Sequence, residues 1–97
     1  MVLHIISTSP FQQDNLQRCL ALATAEDAIL LIEDATFALI NPVQHFGAAI
    51  PVCPVYALQV DVLARGITPM PDFILTVVDY DGFVMLTTQA DKAVSWF

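Results

Sequence analysis

The chain has 97 residues, of which 57% are apolar and only 13% charged. That composition excludes disorder and sets one small domain, residues 1–97, with more apolar material than a soluble monomer needs, so part of it is expected at a subunit interface. Ten acids against three cations, Arg18, Arg65 and Lys92, give a net charge of −7, which disfavours direct contact with nucleic acid and points to protein partners.

The first element is "VLHII" (2–6), a β-rich run that reads as a buried strand. Behind it, Ser9, Pro10 and Gln12 have the spacing of a capping box with proline at the first helical position, which predicts a helix from there to about Ala23. Leu16, Cys19, Leu20 and Ala23 fall on one face of that helix. "AILLIE" (28–33) is a second strand, apolar throughout as in strands covered on both faces. "DATFALIN" is a short helix or turn closed by Asn41-Pro42, and "HFGAAIPVCP" is the least regular stretch.

"VYALQ" (55–59) is the third strand, and "VDVLARG" a helix that Gly66 ends. "ITPMPD" is a loop and "FILTVV" (73–78) the fourth strand. "DYDGFVMLTTQ" (79–89) reads as a helix, although Gly82 and the two threonines weaken it. The apolar tail "KAVSWF" is open to pairing, packing or meeting a partner. Strands alternating with helices predict an α/β layered fold with a mainly parallel sheet of four to five strands. Sites in such sheets lie beyond the strands' C-terminal ends, here Ser7–Ser9, Glu33-Asp34, Gln59–Asp61 and Asp79–Asp81.

No run approaches about 18 apolar residues, so no membrane span is expected. "MVLHIISTSPF" lacks a basic leader, and two cysteines are too few for a disulfide scaffold, so a reduced, cytoplasmic protein is expected. Asp79-Tyr80-Asp81 after a strand has the D-x-D form of haloacid-dehalogenase phosphatases, but the 16 residues after Asp81 cannot supply their remaining catalytic groups. A receiver domain needs an acidic pair where Ser7-Thr8-Ser9 stands. Gly47, Gly66 and Gly82 are too scattered for a phosphate loop. His4 and His45 lack cysteine partners at ligand spacing, so they read as structural or interface residues, and no metal or cofactor motif is present.

The cysteines pose the main question. Cys53, between prolines in "PVCPV", reads as packing. Cys19 lies on the apolar arc of its helix but off the arc's centre, which falls nearer Ala23. That position suits either a small core residue or a reachable thiol, and nothing in the helix lowers the thiol pKa.

The segments "LHIISTSPF", "ILLIEDATFALI", "VYALQVDVLARGI" and "VVDYDGFVMLT", with Trp96 near the end, together resemble the DsrH/TusB family over nearly the whole chain. The resemblance implies a DsrE-like fold of the flavodoxin-like, Rossmann-like kind. It implies assembly with TusC/DsrF-like and TusD/DsrE-like subunits in a sulfur relay. In the tRNA branch such a complex passes persulfide sulfur from TusA-like to TusE/DsrC-like carriers for 2-thiolation of the wobble uridine in tRNAs for Lys, Glu and Gln, with the TusB-like chain mainly an assembly partner. In the sulfur-oxidising branch a cysteine matching Cys19 is thought to meet the DsrC-like carrier, so Cys19 is the candidate sulfur-handling residue. The contrasting readings are a stand-alone small-molecule enzyme and a homo-oligomeric adaptor.

Overall fold

The apolar runs join into one five-stranded, all-parallel sheet in a computed structural model that describes residues 1–47, 51–70 and 73–97. Its strands are β1 (Val2–Ile6), β2 (Ala28–Leu31), β3 (Val55–Leu58), β4 (Thr76–Val78) and β5 (Lys92–Trp96), in the order β4-β3-β2-β1-β5. The tail therefore pairs. It lies parallel to β1, with His4 opposite Val94 and Ile6 opposite Trp96.

Helix α1 (Asn15–Leu22), a 3-10 helix (Glu33–Leu39), the short α2 (Pro42–Phe46) and α3 (Gln59–Ala64) fill the connections from β1 to β3 and follow β3. Helix α4 (Tyr80–Gln89) carries the chain from β4 back across the sheet to β5. Alternation along the strands divides the core in two. Ile6, Ile29, Leu31, Val55 and Ala57 pack with Leu16 and Cys19 of α1, Leu39 of the 3-10 helix and Val62 of α3. Leu3, Ala28 and Leu30 face the other way, onto Leu86 of α4. Central β2 is buried at every position, which explains why it reads as an unbroken apolar run.

Several element ends differ from the expectation. Helix α1 begins at Asn15, not Pro10. The Ser9 carbonyl instead accepts from the amides of Gln12 and Gln13, and Ser9 Oγ accepts from the Phe11 amide. These bonds close a separate turn. Gln12, Gln13 and Asp14 are exposed and offer no apolar side chain that would pack a longer helix onto the sheet. Strand β4 is only Thr76–Val78, half of "FILTVV". Its partner β3 is preceded by Pro54, which has no N–H with which to extend a ladder. Phe73 turns to Phe46 instead, with ring centroids 5.0 Å apart. Strand β2 stops at Leu31, and Glu33 adopts φ 50°, a left-handed conformation that is uncommon for a side-chain-bearing residue. Pro42, expected to close the segment before it, instead starts α2 at its first turn; of the irregular stretch 45–54, residues 48–50 lie outside the described residues.

The glycines of the two later helices have different physical reasons. Gly66, at φ 63°, follows the end of α3 as expected. Gly82 lies within α4, where an added Cβ would stand 2.9 Å from Val78 Cβ, so the helix can approach the end of β4 only without a side chain there. Asp79 caps α4, its Oδ1 accepting from the Gly82 amide at 2.8 Å. Asp79→Ala is expected to cost about 1 kcal/mol and lower the melting temperature by roughly 4–8 °C, measurable by thermal denaturation.

Candidate functional site

The acids beyond the strand ends come together in part, but they close on each other. Arg65, at the end of α3, donates to Asp34 Oδ1 through Nε at 3.0 Å and stands 3.5 Å from Asp61 Oδ1. Asp61 Oδ2 accepts from the Glu33 amide at 2.8 Å, which holds the left-handed turn after β2. The Arg65 guanidinium also lies over the Phe37 ring at 5.9 Å. The Asp61–Arg65 spacing of four was visible in the sequence; the arrival of Asp34 was not. Asp79 is occupied as a helix cap, and Thr8 Oγ1 accepts from the Asn15 side chain at 3.0 Å. These groups bind backbone and one another, which fits a structural role better than acid–base catalysis.

Cys19 is fully buried, at 0% exposure. The off-centre placement does not hold, because the helix starts five residues later than expected and Ala23 lies beyond it; Leu16 and Cys19 therefore form its inward face. Burial pushes the Cys19 thiol up to about 12. Cys53 is buried too, and burial likewise raises its pKa. Cys53 borders an open, mainly apolar cavity of about 300 Å3 with Pro51, Val52 and Ile74. That cavity lies at the N-terminal ends of β3 and β4, opposite the end where such sheets take ligands.

The most connected polar group centres on His4, which the sequence offers only as a lone histidine in an apolar strand. Trp96 Nε1 donates to His4 Nδ1 at 3.2 Å, and His4 Nε2 lies 3.2 Å from Asp27 Oδ2. Asp27 also accepts from the amides of Val2 and Thr24. The network ties β5, β1 and the start of β2 beneath α1, whose Arg18 guanidinium lies 6.0 Å from the Trp96 ring centre. A partial signal was present: Asp27 follows Thr24 by three residues, the spacing of a side chain that bonds a nearby amide.

The Thr24 amide, then His4, holds the Asp27 carboxyl below the usual carboxylate range. A carboxyl depressed in the folded state stabilises the fold above its unfolded pKa, and that contribution fades as pH falls through the lower folded value. Asp27→Asn is therefore expected to be less stable than the parent near neutrality. The gap should close under acid, as read from urea midpoints across a pH series.

His45 is buried beneath the edge of the Phe11 ring, with centroids 5.1 Å apart, and burial lowers its pKa. Its Nε2 has no hydrogen-bond partner among the described residues. Among those residues no cluster of three or more His, Cys, Asp or Glu side chains could hold a metal ion, and no helix is long and apolar enough to cross a membrane.

The family described as "DsrH like protein" matches residues 8–93. The chain belongs to that family. This bears out the sulfur-relay subunit family to which its sequence resemblance pointed. Among its relatives, Protein TusB of Serratia proteamaculans (strain 568) is 36% identical over 97 residues, covering 98% of this chain and all of the relative. Protein TusB of Yersinia pestis (strain Pestoides F) is 31% identical over 96 residues, with the same coverage. The solution structure of Tm0979 from Thermotoga maritima superposes with a TM-score of 0.67 at 25% identity, over 91% of this chain and 92% of that one. The crystal structure of the ychN protein from E. coli gives 0.76 at 19% identity, over 98% and 97%, a likeness of fold. The DsrE-like α/β architecture is thereby established.

Proposed function

We propose that this chain is a single-domain assembly subunit of a TusBCD-type sulfur relay, seated against TusC/DsrF-like and TusD/DsrE-like chains in the cytoplasm. The complex passes persulfide sulfur from a TusA-like to a TusE/DsrC-like carrier for 2-thiolation of the tRNA wobble uridine. The observation that carries the assembly role is the outer face of α4. Tyr80, Val84 and Met85 are exposed there, and beyond Asp81 in the first turn no residue of α4 is charged. The Thr87 and Thr88 hydroxyls donate to the Val84 carbonyl of their own helix, so they too are already satisfied. A solvated helix normally carries charge on its outer face, whereas a helix destined for a protein interface need not. The burial of Cys19 agrees, since sulfur exchange requires a thiolate that can meet its partner.

Co-expression with TusC-like and TusD-like chains tests the reading. The expected result is one stable complex containing all three, which restores 2-thiouridine to tRNA in cells lacking their own TusB. The free chain should not bind tRNA at physiological salt. A monodisperse monomer that ignores both partners and restores no thiolation would defeat it.

A further inference from the structure

We propose that His4 is a proton-operated latch: neutral, it holds the Trp96 indole and with it the end of β5; protonated, it releases them. The geometry fixes the neutral form. An indole N–H can only donate, so the 3.2 Å contact requires a lone pair on His4 Nδ1. The single ring proton then sits on Nε2, where it is donated to Asp27 Oδ2. A second proton binds the Nδ1 lone pair, the one that accepts from Trp96. The indole N–H then faces an N–H donor and their hydrogen bond breaks, while the bond from Nε2 to Asp27 becomes charge-assisted and persists.

The surroundings make that step selective. Asp27, at the start of β2, faces Nε2 and is held ionised by the amides it accepts from. From α1, the permanently charged Arg18 guanidinium lies 6.0 Å from the Trp96 ring centre. Cys19 of α1 belongs to the cluster against which Trp96 packs, and its thiol is neutral. Lys92 of β5, opposite Val2, is exposed. The latch is placed where its release has a structural consequence. Consecutive strands run outward from β1 through β4, and β5 returns to the other side of β1, so the topological switch of this sheet lies between β1 and β5. Release of Trp96 loosens an edge strand at that crevice.

The test uses the full chain. Trp96 is the single tryptophan, so its indole resonance and its emission report the latch without interference. In 15N-labelled protein near pH 7.5, ring correlations should place the His4 proton on Nε2. As the pH is lowered, the appearance of a second His4 ring proton should shift the Trp96 indole N–H in the same transition. Hydrogen exchange of the β5 amides, corrected for its intrinsic pH dependence, should rise about tenfold, the equilibrium effect of one lost hydrogen bond. His4→Gln should abolish the transition and His45→Gln should preserve it. Trp96→Phe near neutrality should show the faster β5 exchange of the acidified parent. The proposal is overturned by a neutral-pH proton on Nδ1, or by an indole N–H and β5 exchange that ignore the arrival of the second His4 ring proton. If His4→Gln does not fold, the ring and indole signals of the parent still decide.

Discussion

Native Cys19 will react with a thiol reagent only through the small open population of the chain, several thousandfold more slowly than the same cysteine in unfolded protein. Two effects contribute, and their sizes show which dominates. Raising the thiol from 9.0 to about 12 reduces the thiolate present near neutrality about a thousandfold. A more basic thiolate is the better nucleophile, which regains roughly twentyfold. Ionisation alone therefore slows the reaction by only some tens of fold. Occlusion is larger: at 0% exposure the sulfur meets reagent after opening, and an opening free energy of roughly 5 kcal/mol suppresses the rate several thousandfold. Timed alkylation with mass-spectrometric mapping checks this, with denatured protein as the reference. Labelling within tenfold of the denatured rate would place Cys19 at an accessible surface and return it to the sulfur chemistry. The raised pKa carries a second signature. Its stabilising contribution is complete below the unfolded pKa near 9.0 and is lost as pH rises towards about 12. Cys19→Ala should remove that part of the alkaline instability.

The same cysteine shows how far local pattern reaches. The heptad-like spacing of Leu16, Cys19 and Leu20 identified the helix and its inward side, but the apparent capping box at Ser9 placed its start five residues early. Capping signals report what a backbone turn can accept, and Ser9 does accept two amides, in a turn that α1 does not continue. Whether such a turn grows into a helix depends on the sheet beneath it, which no local window contains. Likewise, "AILLIE" announced a buried strand by its unbroken apolar run. The tail "KAVSWF" did not declare itself, because its partner β1 lies some 90 residues earlier. The polar network was the least legible part. Histidine, aspartate and tryptophan at 4, 27 and 96 share no spacing; only the parallel register that sets Ile6 beside Trp96 brings them together. The family resemblance supplied what periodicity could not, and the family match upheld it.

Leu31→Ala will cost about 3 kcal/mol, within the 2–5 kcal/mol that such truncations take from well-packed cores. Leu31 is fully buried in the central strand, between Ile6 on β1 and Ala57 on β3. Ala57 cannot swell to fill the space. Leu39 and Cys19 belong to elements fixed by their own buried neighbours, so little collapse is available and the cavity penalty adds to the lost transfer energy. For a domain whose whole stability is about 5–15 kcal/mol, that loss brings the chain near its unfolding threshold. Urea titration should show a lower midpoint with the slope unchanged. The side chain has no solvent exposure, so the variant should keep its affinity for partner subunits once folded. Saturating partner at about a hundred times its dissociation constant would return roughly 2.7 kcal/mol by mass action and nearly offset the defect. A loss below about 1 kcal/mol would mean that the core around β2 repacks freely, contrary to the interlocked packing described above. A variant that partners stabilise to the parent's level, yet that is poorly folded alone, would show directly that this chain's stability is completed by assembly.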